Sequence, residues 1–211
     1  MLASLVWSTP EGENLIAYMA RVSNPDNQDN PQTAPRLIKY LVDHQHWSPF
    51  EMVGICIEIE CPRDIGRQLL RHRSFTFQEF SQRYADVTKL PVAETRQARL
   101  QDTKNRQNSI VCEDAELAAW WEAEQQYLRL QANHLYTRAL NKGLAKECAR
   151  AVLPEGLTTS RMYMYGTLRS WMHFYRVRTH PGAQQEIKDL AEKIAAIIEP
   201  LYSVSWKALT Q

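Results

Sequence analysis

The spacing of apolar side chains changes period several times along this chain, and each change marks an element. Leu2 to Trp7 reads as a short strand. Between Glu13 and Val22, the residues Leu15, Ile16, Met19, Ala20 and Val22 fall at helical spacing, and Ser23 ends the pattern. Asn24 to Pro35 is rich in breakers and aperiodic, as expected for a loop. Leu37, Ile38, Leu41 and Val42 restore the helical period up to a polar cluster, His44 to Glu51. From Met52 to Cys61 the period becomes two. Ile55, Ile57, Ile59 and Cys61 share one face, with Cys56, Glu58 and Glu60 on the other, which predicts a half-buried strand. Pro62 closes it and suits the first turn of a helix from Arg63 to Arg71.

In the stretch Ser74 to Tyr84, the alternation of Phe75 and Phe77 favours an extended chain, which would align Glu79, Ser81 and Arg83 on one face. If the stretch were helical, Glu79 and Arg83 would form a simple i,i+4 ion pair. Val87 to Asn108 is polar and aperiodic, an excursion with little core of its own. Asp114 to Asn141 carries the longest helical pattern, with Gly143 placed to cap it. A short helix from Ala145 stops at Leu153-Pro154. Thr159 to Arg178 is predicted to be a helix with Arg169, His173 and Arg176 on one face and Arg178 on another. Ala183 to Leu201 forms the last amphipathic helix.

Composition narrows the choice. With 211 residues, 44% apolar, 23% charged and no linker, one domain over residues 1–211 is expected. A net charge of +1 gives no global field for nucleic acid or an anionic membrane. The N-terminus lacks a basic leader and no apolar run could span a bilayer, so a cytoplasmic protein is expected. Cys56, Cys61, Cys112 and Cys148 are scattered, as reduced structural cysteines would be.

Basic chemistry must therefore be local. Arg63, Arg67 and Arg71 recur every four residues, an arrangement that is unfavourable unless anions compensate it. Arg71-His72-Arg73 is followed by Glu79, Ser81 and Arg83, interleaved with Phe75, Phe77 and Phe80, a mixture suited to an anionic and partly apolar guest. Guanidinium groups match phosphate through paired hydrogen bonds and stay charged when half buried. There is no G-x-G-x-x-G or P-loop, so a bound dinucleotide would be held by arginines. His44 and His46 have no obvious third ligand, and no metal is expected. Ser81 lacks a nucleophile elbow, which argues against a hydrolase.

The pattern Arg71-His72-Arg73-x7-Ser81, extended from Arg67-Gln68 to Arg83-Tyr84, resembles the signature of the flavin-dependent thymidylate synthase (ThyX) family. Further blocks follow the family order: Ala20 to Ser23, His44 to Glu51, Ala149 to Pro154, Leu168 to Phe174 and Val177 to Ile187. The resemblance implies an α+β fold, a single domain with a small antiparallel sheet flanked by helices, assembled as a homotetramer with active sites between subunits. It implies conversion of dUMP to dTMP with FAD, NADPH and methylene-tetrahydrofolate. By the same resemblance, Gln68, Arg71, Glu79, Phe80, Ser81, Gln82, Arg83, Arg150 and Arg178 are expected at dUMP, with Arg178 catalytic. Ser23, His46, Ser48, Glu51, Arg71, His72, Arg73, Glu79, Thr167, Arg169 and His173 are expected at FAD. The family's asparagine is replaced by Thr167. The alternatives are hydroxymethylation or methylation of another deoxypyrimidine monophosphate, and a non-catalytic nucleotide or RNA binder.

Overall fold

The computed structural model describes residues 1–210. Its centre is the strand that the period-two alternation predicts. β2 (Gly54–Pro62) buries Ile55, Ile57 and Ile59 completely, and it pairs antiparallel with β1 (Leu2–Ser8) on one side. On the other side it pairs with β6 (Thr159–Thr167), and β3 (Phe75–Glu79) completes the sheet in the order β1-β2-β6-β3. Every pairing is antiparallel, so the sheet can bury one face and leave the other partly exposed.

Six helices contribute to the core on the buried face. α1 (Gly12–Ala20) and α2 (Ala34–Asp43) supply Ile16, Ile38, Leu41 and Val42. α6 (Leu168–Arg178) supplies Trp171, Met172 and Phe174, and the indole Nε1 of Trp171 donates to the Ile55 carbonyl at 3.2 Å. α7 (Gln185–Ile198) and the C-terminal α8 (Ser203–Thr210) close the layer with Ile187, Leu190, Ile194, Tyr202 and Trp206. Between β2 and β3, the short α3 (Arg63–Leu69) buries Ile65 and Leu69.

Three expectations need correction. Thr159 to Arg178 is not one helix: its first half is the strand β6, and only from Leu168 is it helical. Met162 and Met164 point inward while Tyr163 and Tyr165 are exposed, and this alternation overrides the helical propensity of the methionines. The extended reading of Ser74 to Tyr84 holds only for Phe75 to Glu79. Phe80 N still donates to the Arg161 carbonyl of β6 at 2.8 Å, but the chain then turns at Ser81, whose carbonyl accepts from Tyr84 N at 3.1 Å and Ala85 N at 3.0 Å. The helix expected from Ala145 is one turn, α5 (Lys146–Ala149), followed by a 3-10 turn at Arg150–Val152.

The polar excursion contains a small hairpin, β4 (Arg99–Gln101) with β5 (Ser109–Val111), and buries Val87, Leu90 and Ala93. It is tied down by polar contacts. The backbone of Arg96 exchanges two hydrogen bonds with the side chain of Gln125, and its guanidinium pairs with Asp64. Gln125 lies on α4 (Ala115–Asn141), which Asp114 caps through Glu116 N and Leu117 N. Gly143 ends that region at φ 85°, in the left-handed geometry expected of a helix stop.

Gly166 shows how tightly the sheet meets the turn before β3. It lies opposite Phe75 across the β3–β6 pairing, and a Cβ there would sit 2.4 Å from the Phe75 ring. That ring packs edge-on against Trp171 at 4.7 Å and lies 6.1 Å from the His72 imidazole. Gly166→Val is therefore expected to destabilise the protein by roughly 1–3 kcal/mol through overpacking. Chemical unfolding measures this, and an unchanged midpoint would contradict the packing.

Candidate active site

The Arg71-His72-Arg73 step occupies the turn between α3 and β3, where His72 N donates to the Leu69 carbonyl at 2.9 Å. The start of α6 lies directly beside it. Thr167 caps that helix by accepting from Ser170 N, and the Ser170 hydroxyl donates to the Ser74 carbonyl at 3.2 Å. Turn and helix are thus locked together. With the 3-10 turn Ser48–Glu51 they enclose a cleft of about 530 Å³. Trp47, Glu51, Arg71, His72, Arg73, Arg169, Met172, His173 and Arg176 line it.

The cleft is electrostatically unbalanced. Arg169 pairs with Glu51, but among the described residues Arg71, Arg73 and Arg176 form no ion pair. Clustered guanidinium groups with aromatic and thioether neighbours suit a large anion that also carries a planar apolar part.

Beside the cleft His72 meets Arg178, which lines a neighbouring cleft that His173 and Arg176 also border. The Nε of Arg178 donates to His72 Nε2 at 2.8 Å, Nη2 to the Gln68 carbonyl at 2.8 Å, and Nη1 to Gln68 Oε1 at 3.4 Å. Burial, then the charges of Arg178 and His173, push the His72 imidazole down from 6.5 to about 4. It is neutral near pH 7, and because Nε2 is an acceptor its proton sits on Nδ1. Burial and then the neighbouring Arg71 also lower the Arg178 guanidinium below its usual range. Three of its five N–H donors are committed, which leaves two for a ligand. A half-buried cation facing a second cation gains from an adjacent anion.

The remaining expected nucleotide residues form a second group. Glu79 accepts from the Ser160 hydroxyl at 2.7 Å and lies 3.4 Å from Arg63. Phe80 packs on a small cluster of Val87, Tyr136 and Ala149. The Ser81 hydroxyl accepts from Arg83 N at 3.3 Å, and the Arg83 side chain pairs with Glu147 at 3.1 Å. Gln82 is buried and its Nε2 has no partner among the described residues. Arg150 opens the 3-10 turn after α5 and forms no ion pair among the described residues. The clefts lined by Arg71 and by Arg178 include none of Phe80, Ser81, Gln82, Arg83 or Arg150.

Of the other residues expected at the flavin, Ser23 is exposed just beyond α1, and Ser48 is exposed in its 3-10 turn. His46 is exposed, 6.0 Å from the Tyr40 ring. Thr167 serves as the α6 cap, and none of these four lines the cleft. Three polar residues of the same region had no assigned role in the sequence: Arg99, Gln184 and Glu186. The last two stand in the block Val177 to Ile187, directly before the apolar stripe of α7, and that position was the available signal.

The profile of the family described as thymidylate synthase complementing protein matches residues 4–202. A probable flavin-dependent thymidylate synthase of Paramecium bursaria Chlorella virus 1 is 49% identical over 197 residues, covering 93% of this chain and 90% of that one. The chain belongs to the flavin-dependent thymidylate synthase family. Another relative, the flavin-dependent thymidylate synthase of Synechocystis sp., is 46% identical over 183 residues, covering 87% of this chain and 81% of that one. Among solved structures, the UMP/dUMP methylase PolB from Streptomyces cacaoi bound with 5-Br dUMP superposes with a TM-score of 0.83 at 28% identity. The match covers 99% of this chain and 94% of that one.

The low pKa of His72 makes stability depend on pH in a defined direction. Between about 4 and 6.5 the unfolded chain binds a proton at His72 that the folded chain excludes, so stability falls as pH is lowered through that window and levels off below it. Urea unfolding at several pH values should show this slope reduced in His72→Gln. An identical slope in both proteins would contradict a buried neutral imidazole.

Proposed function

We propose that this protein methylates C5 of dUMP to give dTMP, with FAD as cofactor, methylene-tetrahydrofolate as carbon donor and NADPH as reductant, and that the whole chain acts as one synthase domain. The observation that carries the reading is the cleft with three unpaired guanidinium groups set beside the neutral His72–Arg178 contact. Membership of the family and the two relatives named as flavin-dependent thymidylate synthases support it. The UMP/dUMP methylase that shares the fold supports a pyrimidine nucleotide as substrate.

The donor set fits a flavin dinucleotide. Arg71, Arg73 and Arg176 face a cleft with Trp47 and Met172, so a pyrophosphate and a ring system both find partners there. Arg71, His72, Arg73, Arg169 and His173 would hold it, with Glu51 orienting Arg169. When bound, the flavin supplies the hydride that completes the methyl group.

For the nucleotide, Arg83 and Arg150 would hold the phosphate dianion, helped by Ser81 and by the unpartnered amide of Gln82. Arg178 would stabilise the negative charge that develops at N3 and O4 of the uracil, which makes C5 more nucleophilic. No cysteine attack is needed. Cys61 is buried at the end of β2, and burial, reinforced by Asp64 and Glu79, pushes its thiol up to about 12. It is not a usable nucleophile.

The Arg83 and Arg150 group stands apart from Arg178, and this supports a site completed by a second copy of the chain in a homotetramer. The long helix α4 supports the same assembly, because it exposes Trp120, Trp121, Tyr127, Leu128 and Leu130 while burying only Gln125, Ala132 and Tyr136. All four cysteines are free, in keeping with a reducing cytoplasm.

Arg178→Ala should retain flavin and fold but lose turnover by about 100-fold or more. The assay is dUMP-dependent NADPH oxidation with product mass spectrometry, run in parallel with UMP. Turnover at the wild-type level would refute the role of Arg178. A product heavier than dTMP by one oxygen would instead indicate hydroxymethyl transfer.

A further inference from the structure

Behind Arg178 runs a chain of side chains that starts at Gln68 and continues through residues with no expected role in substrate binding. The Nη1 of Arg178 reaches Gln68 Oε1 at 3.4 Å, Gln68 Nε2 donates to Gln184 Oε1 at 2.7 Å, and Gln184 Nε2 donates to Glu186 Oε2 at 2.8 Å. The other oxygen of Glu186 accepts from Arg99 Nη2 at 2.6 Å, on the β4 hairpin. Gln184 sits at the N-cap of α7 but forms no cap hydrogen bond with its side chain. It leaves that position unused and instead spans the gap between Gln68 and Glu186.

The direction of this chain is fixed at both ends. A guanidinium can only donate and a carboxylate can only accept. Burial alone would raise the Glu186 carboxyl, but hydrogen bonds from Arg99 and Gln184 hold it below its usual range, so it is ionised near pH 7. Glu186 therefore takes the NH₂ of Gln184, which turns the Gln184 oxygen towards Gln68. That oxygen takes the NH₂ of Gln68, which turns the Gln68 oxygen towards Arg178. With the Gln68 amide reversed, a donor would face a donor at the guanidinium; with the Gln184 amide reversed, its NH₂ would face the NH₂ of Gln68 and its oxygen would face the Glu186 carboxylate.

We infer that Gln184 and Glu186, anchored by Arg99, are positioning residues that orient the Gln68 amide and thereby hold the Arg178 guanidinium in place. The inference rests on the proposed role of Arg178 where it concerns turnover, but the hydrogen-bond order stands on the geometry alone. The Arg99–Glu186 pair is well shielded, with side chains 14% and 13% exposed, so solvent does little to loosen its geometry. It also gives the polar excursion a purpose: the hairpin anchors the far end of the relay.

Glu186→Gln tests the order. Arg99 and Gln184 donate to opposite oxygens of Glu186, and the new amide at 186 presents an accepting oxygen on only one of those two sides. If Arg99 takes it, the amides of Gln184 and Gln68 must both reverse, and an NH₂ faces Arg178. The paired change Arg99→Gln with Glu186→Gln restores the order, since the amide at 99 can accept from the amide at 186, whose oxygen is then free for Gln184.

Two readouts follow. In the NADPH oxidation assay, Glu186→Gln should lower kcat/KM for dUMP by about 10- to 100-fold with flavin content unchanged, and the paired variant should recover most of it. In an NMR titration, which needs no turnover, the His72 midpoint should rise from about 4 in Glu186→Gln, as Arg178 moves away, and return in the paired variant. An unmoved His72 midpoint in Glu186→Gln overturns the inference whatever the substrate. Equal loss in the single and paired variants overturns it as well, because the ion pair would then matter only for folding. Absence of dUMP-dependent turnover in the wild type, with the His72 result intact, would overturn the functional reading alone.

Discussion

An arginine can donate to an imidazole only if that imidazole is neutral, and the contact between Arg178 and His72 depends on it. Burial, with the repulsion of Arg178 and His173 added, keeps the ring uncharged, and the ring in turn accepts the Nε proton of the guanidinium. Each group makes the state of the other favourable. A protonated His72 would place two cations in contact inside a partly dry site, where like charges repel far more strongly than in water. The geometry comes from the sheet: β6 lies beside β3 and leads straight into α6, which brings Arg178 alongside the turn after α3.

The same placement confines the basic character of the molecule to the cleft. The chain carries a net charge of +1, so its positive potential is concentrated where the arginines converge rather than spread over a face. Arg67 and Arg63, which share the i,i+4 series with Arg71, are each matched to a carboxylate, Glu155 and Glu79. Arg71 alone of the three is left without an ion pair among the described residues, and it is the one that reaches the cleft.

Much of this was legible in the sequence because it was local. The alternation Ile55, Ile57, Ile59 marked the central strand, and the spacing of Arg169, His173 and Arg176 marked one face of α6 that does line the cleft. Arg178, set apart from that face in the sequence, does not line this cleft but shares a neighbouring one with His173 and Arg176. The boundary at Thr167 was hidden because Met162 and Met164 suit a helix as well as a strand, and only pairing with β2 on one side and β3 on the other makes a strand of them. β3 ends where its own chain turns at Ser81, although β6 continues to Thr159, and the phenylalanine alternation does not mark that turn. The relay from Arg99 to Arg178 includes contacts between residues 87, 116 and 110 positions apart, and no periodicity encodes such contacts.

The residues proposed to bind the nucleotide fall into two separate groups. Arg178 stands with Gln68 and His72, while Arg83 and Arg150 stand beyond β3 near Glu147, and the proposed assembly joins the first group of one chain to the second group of its neighbour. Mixing inactive Arg178→Ala chains with inactive Arg83→Ala chains, with co-assembly verified by native mass spectrometry, examines this arrangement. Recovery of dUMP-dependent activity is the predicted result, because some interfaces then hold both arginines. Co-assembled mixtures that stay inactive would contradict it.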